Sequence, residues 1–92
     1  MSKKITSQRE LEQFMRDLFQ ENGKEISWIL KKDCGRYYRV FVDKQIVSEV
    51  HVDQFKAYND ALRAASIEGV LTYKWNAKKD IPEWTYKETA HA

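Results

Sequence analysis

Apolar residues recur at Leu11, Phe14, Met15, Leu18 and Phe19. That i, i+3, i+4, i+7, i+8 spacing lines one face of an α-helix. Ser7, with Glu10 three residues later, forms a capping-box pair ahead of the stripe. The hydroxyl accepts from the Glu10 amide while the carboxylate reaches back to the Ser7 amide. Gly23, after Asn22, supplies a stop, because glycine takes positive φ without steric cost. The pattern predicts a helix over residues 8–22.

The period then changes from 3.6 to two. Ile26, Trp28 and Leu30 share one side of a strand over residues 25–32, with Ser27, Ile29 and Lys31 opposite. Asp33-Cys34-Gly35 reads as a turn into a second strand, where Tyr38, Val40 and Val42 lie opposite Tyr37, Arg39 and Phe41. Asp43-Lys44 is a turn without glycine. Residues 45–52 form a third strand, with Ile46, Ser48, Val50 and Val52 expected on the core side and Val47, Glu49 and His51 opposite. Asp53 is a good N-cap for a second helical stripe of Phe55, Tyr58, Ala61, Leu62 and Ala65, ending near Gly69. Residues 70–75 are a fourth strand with Leu71, Tyr73 and Trp75 together. A polar loop over 76–82 follows, then a short edge strand over 83–87 and a loose tail over 88–92. The expected fold is one α+β domain over residues 1–92, with a four-stranded, mainly antiparallel sheet and two helices in the order α-β-β-β-α-β. Each helix has one apolar stripe to bury, so both belong on one sheet face. The other face meets solvent or a partner.

With 92 residues, 42% of them hydrophobic and 33% charged, the composition is that of a globular domain. A chain of this size buries a modest core, so most of its three Trp, five Tyr and four Phe are expected to be structural. No apolar run approaches the roughly 18 residues of a membrane span. The start, Met1-Ser2-Lys3-Lys4-Ile5-Thr6, has no apolar stretch behind its charges and does not read as a secretory signal. A single cysteine, Cys34, excludes an internal disulfide and fits a reducing compartment. Cytoplasm, the cell's own or an infected host's, is the expected location. The net charge is only +2, but residues 24–44 hold six basic and three acidic groups, a net of +3. That argues for a local basic patch, since a general nucleic-acid binder is usually more basic.

Enzyme signatures are missing. Phosphate cradles need clustered glycines, and Gly23, Gly35 and Gly69 all fall at element ends. Structural zinc needs about four ligands, against Cys34, His51 and His91 here. A Cys34–His51 nucleophile pair is compatible with a meander, but a lone turn cysteine is ordinarily a bystander. Glu49 and His51 on one strand side read as a surface ion pair. No cofactor, metal or small-molecule substrate is expected. The stronger signal is the basic-aromatic ribbon. Tyr37, Arg39 and Phe41 face outward, joined by Lys31 and Ile29, with Lys32 and Arg36 beside the turn. Lys74, Lys78 and Lys79 make a second basic set. Such residues hold phosphates and stack on bases, or form a solvated and partly covered sheet face.

Residues 35–42, Gly-Arg-Tyr-Tyr-Arg-Val-Phe-Val, resemble the aromatic strand of RNA-recognition motifs. They lack that motif's internal glycine, and that family begins with a strand. The helix, three strands, helix order is similar to double-stranded-RNA-binding domains, whose second helix opens on a lysine-rich clamp. Here only Lys56 stands at that place. Over its whole length the chain resembles small phage-encoded anti-CRISPR proteins of the type I-F inhibitor group. The likeness lies in the short single domain, the Met1-Ser2-Lys3-Lys4 start, the capped helix before a meander, and the charged aromatic hairpin around residues 36–41. This resemblance implies a non-enzymatic inhibitor that docks on a CRISPR RNA-guided surveillance complex and blocks target DNA binding. Lys31, Lys32, Arg36, Tyr37, Arg39 and Phe41 would be the first contact set and Lys74, Lys78 and Lys79 the second. The partner would be the complex's protein subunits and guide RNA, with no membrane. A free-standing RNA- or single-stranded-DNA-binding module is the alternative, and a structural subunit of a larger assembly a third.

Overall fold

The computed structural model describes residues 2–31, 37–51 and 54–88. In chain order the elements are β1 (Ser2–Ile5), α1 (Gln8–Glu21), β2 (Ile26–Lys31), β3 (Tyr37–Val42), β4 (Gln45–His51), α2 (Gln54–Ala64), β5 (Val70–Asn76) and β6 (Ile81–Lys87). They build two separate three-stranded antiparallel sheets, ordered β2-β3-β4 and β1-β6-β5. The chain is therefore α+β, but the expected single four-stranded sheet and the α-β-β-β-α-β order are corrected. The turn at 33–35, the Asp53 cap and residues 89–92 of the tail lie outside the described residues.

α1 begins and ends where its sequence places it, with the Ser7 half of the expected capping box made and the Glu10 half not. Ser7 is the N-cap in extended backbone, and its Oγ accepts from the Glu10 amide at 3.2 Å. At the other end Gly23 has φ +71°, and the Lys24 and Gly23 amides donate to the Phe19 and Gln20 carbonyls. This closes a Schellman motif. α2 ends in the same motif without glycine. Ser66 takes φ +57°, and the Ile67 amide donates to the Leu62 carbonyl at 2.9 Å. The helix therefore stops before Gly69, where the sequence pattern had placed its end.

The meander forms in the expected register. Asp43 and Lys44 both take positive φ, 50° and 68°, as a two-residue hairpin turn requires. Val40 and Val42 are buried and Tyr38 packs on the core, as their parity predicts. Parity then breaks in β4. A bulge opposite Val40 and Phe41 pairs Ile46 with Phe41 and Ser48 with Val40, so that Val47 is the extra residue. One inserted residue moves the side chains beyond it to the other face. Ile46 consequently leaves the core side and is half exposed, while Val47 packs on the core.

The second sheet owes its form to β1, a strand that the sequence pattern did not predict. Ser2–Ile5 pairs antiparallel with residues 84–87, which makes β6 the central strand and corrects its expected place at an edge. The expected loop over 76–82 is shorter, because β5 runs to Asn76 and β6 starts at Ile81. Pro82 is tolerated because β1 covers β6 only from Trp84 onward.

α2 packs on β3, β4 and β5, and α1 on β1 and β2, so each helix touches both sheets. The shortest dimension, 22 Å against 42 and 39 Å, fits two layers. One core runs through both halves: Ile5, Leu11, Met15, Phe19, Ile26, Val40, Tyr58, Leu62, Leu71, Trp84 and Tyr86 among others. The two sheets stay separate, and α2 stands at the β5 edge. Asn59 Nδ2 donates to the Leu71 carbonyl at 2.7 Å, and the Leu71 amide donates to Asn59 Oδ1 at 2.8 Å. A joining strand would need those same backbone groups.

Candidate functional site

The outer face of β2-β3-β4 is built from alternate residues of three strands. Register sets up three cross-strand rows: Lys31–Tyr37–His51, Ile29–Arg39–Glu49 and Ser27–Phe41–Ile46. In the first row only the backbones are described. In the second, Arg39 Nε lies 2.6 Å from Glu49 Oε1, and both side chains are partly open to solvent. Ile29 and Ile46, in adjacent rows, are 48% and 50% exposed. Phe41 is half-buried and stands outside the core cluster. The face therefore carries an apolar triangle around a matched ion pair. Glu49 thus pairs with Arg39, while the expected Glu49–His51 pair rests on a side chain outside the described ones.

The second surface is the β5–β6 hairpin. Lys74 on β5 is paired in register with Glu83, and Lys78 and Lys79 lie in the turn; all three lysines are exposed. Asn76 builds that turn. Its Oδ1 accepts from the Lys78 and Lys79 amides, both at 3.1 Å, and its Nδ2 donates to Glu83 Oε2 at 2.9 Å. The Asn76 hydrogen bond does most to hold the Glu83 carboxyl below its ordinary value; desolvation, next in size, opposes it, and the Lys4, Lys74 and Lys79 charges add to it. Lys4 Nζ is 3.8 Å from Glu83 Oε1. On the opposite face of the hairpin, Tyr73 and Trp75 are 43% and 49% exposed. Tyr73 stacks on Phe55 of α2 with centroids 6.0 Å apart, and meets the buried Trp84 at 5.5 Å.

The two proposed contact sets thus stand on different sheets. Lys31, Tyr37, Arg39 and Phe41 share the meander; Lys74, Lys78 and Lys79 share the hairpin. Lys32 and Arg36 lie outside the described residues, as does Cys34. Sequence reasoning missed Ile46, hidden by the bulge, and missed Tyr73 and Trp75 as surface residues. Their alternation with Leu71 signals a buried face, yet both stay about half exposed, Tyr73 even where it meets Phe55 of α2. Among the described residues no group of three or more His, Cys, Asp or Glu side chains is placed to hold a metal ion. No described helix is long and apolar enough to cross a membrane.

These features define a small α+β domain whose two sheets share one core with two helices, presenting two surfaces of mixed aromatic, aliphatic and charged character. No protein-family model, curated protein or solved structure matches the chain.

Proposed function

We propose that this protein is a non-enzymatic inhibitor of the phage type, acting in the host cytoplasm. It docks on a CRISPR RNA-guided surveillance complex and blocks capture of target DNA. The β2–β3 hairpin meets the complex's protein subunits and guide RNA, and Lys74, Lys78 and Lys79 form a second contact. One observation supports this reading over a free-standing RNA- or single-stranded-DNA-binding module: Arg39 is already matched by Glu49, between the half-exposed Ile29 and Ile46. A phosphate-gripping face needs cations with spare charge. Apolar side chains around an arginine pair suit a protein interface, where such residues are the anchors.

The test is target-DNA binding by a purified type I-F surveillance complex, with the protein added in increasing amounts. Loss of DNA binding near equimolar protein is expected, with little dependence on salt. DNA capture that survives a large excess overturns the proposal. Tight binding of naked RNA, falling steeply with salt at a log–log slope of roughly −0.7 per contacted phosphate, would select the nucleic-acid module instead.

A further inference from the structure

We infer that the free edge of β5 from Tyr73 to Trp75 is a strand-docking site for an extended acidic segment of a partner protein. This site is separate from the meander face, and it does not depend on which complex that face meets.

Leu71 fixes the direction of the β5 edge. Both its backbone groups bond to Asn59, so both point away from β6. In an antiparallel pair these directions alternate along the strand. The amides and carbonyls of Tyr73 and Trp75 therefore point to the same open side. Among the described residues, nothing takes them up. Asn59 occupies the first rung of a missing strand, and the next two rungs are vacant. An edge of this kind is a template for strand addition, with backbone bonds giving affinity and side chains giving selectivity.

The surroundings choose the occupant. Tyr73 and Trp75 offer half-exposed rings on one face of the rungs. Lys74 lies on the other face, with Lys78 and Lys79 at the turn. Four lysines, Lys4, Lys74, Lys78 and Lys79, stand against two local carboxylates, Glu83 and Asp80, so the hairpin keeps a net positive charge. The edge therefore favours a strand with carboxylates opposite Lys74 and apolar side chains against the rings. A second copy of this β5 would bring Lys74 toward its own counterpart, which disfavours self-pairing.

The probe is a synthetic octapeptide alternating glutamate with valine, titrated into isotope-labelled protein and followed by backbone amide NMR. Shifts centred on the Tyr73 and Trp75 amides are expected, with slowed hydrogen exchange at both and little change at Leu71. Trp75→Pro removes one rung donor, yet spares the β5–β6 ladder because that amide points outward. It should weaken the peptide by about three- to tenfold beyond the Trp75→Val control, which keeps the amide. Absence of shifts at millimolar peptide overturns the proposal. So does an equal response to the lysine–valine counterpart, a stronger one to an oligothymidylate, or shifts that track protein concentration alone. The peptide comparison stands on wild-type protein even if a variant fails to fold.

Discussion

Gly69 and Ser66 bracket the exit from α2 and make opposite demands. Gly69 has φ +137°, and a Cβ there would overlap the Tyr86 hydroxyl, which donates to the Glu68 carbonyl. Gly69→Ala should therefore cost about 2–4 kcal/mol, from backbone strain and overpacking together. Ser66 is exposed and pays for a left-handed conformation at φ +57°. Ser66→Gly should stabilise by about 0.5–1 kcal/mol. Urea midpoints at constant m-value read both, and the two changes must carry opposite signs. Tyr58 sets a pH limit. It is fully buried and accepts a hydrogen bond from Gln54 at 2.9 Å. Burial, with the Glu12 carboxylate adding to it, raises its phenol well above the ordinary value of 10.0. The neutral phenol is favoured by the fold, so its contribution is whole below that value. It is lost as pH climbs above it toward the folded pKa, because the unfolded chain ionises first. Denaturant midpoints should fall above about pH 10, and less steeply in Tyr58→Phe. Equal slopes in the two proteins would remove Tyr58 from this account. Tyr86, also raised chiefly by burial, keeps some slope in the variant.

At the scale of elements, β1 has the largest consequence for the least sequence signal. Its four residues contain one apolar side chain, Ile5, which is completely buried. Lys3 Nζ sits 5.3 Å from the centroid of the Phe14 ring, and Lys4 reaches Glu83. No period can be read from such a segment; the strand exists because β6 offers a backbone ladder and α1 offers a floor. Ile5→Ala should cost about 2–4 kcal/mol, as for other fully buried aliphatic truncations. At about 4–8 °C per kcal/mol for a domain of this length, the loss is plain in thermal unfolding. A change under about 1 °C would mean that β1 is not part of the cooperative unit. The helices and the meander were legible for the opposite reason. Their stripes, the Ser7 cap and the Gly23 stop are local and sum to one answer. The β4 bulge was not legible, because it is set by pairing with β3 and not by any turn residue.

The whole molecule presents two candidate surfaces, and they should respond differently to change. Ile29→Glu combined with Phe41→Glu places charge on the outer sheet face without touching the core cluster. It should abolish partner binding while shifting stability by only about 0.5–1 kcal/mol. Retained inhibition by a folded double variant would exclude that face as the docking surface. Lys78→Glu with Lys79→Glu belongs to the hairpin and should leave meander-face binding largely intact. Within the basic-aromatic ribbon the facing of Arg39 and Phe41 was legible, since alternation along β3 places them opposite Val40 and Val42. That Glu49 would neutralise Arg39 was not legible. It depends on which β4 residue the bulge brings across the strand.

What the sequence alone determined is local: two amphipathic helices, the first with both its ends, a three-strand meander and the parity of β3. Each follows from hydrophobic period and end chemistry within about ten residues. Only the tertiary structure decided that there are two sheets, because this rests on contacts between distant segments. Ser2–Ile5 finds residues 84–87, and Asn59 takes the outward backbone groups of Leu71 at the β5 edge. Backbone hydrogen bonds carry no side-chain signature. The pairing of a polar N-terminal strand, and the open rungs left on β5, therefore became visible only once the chain had folded.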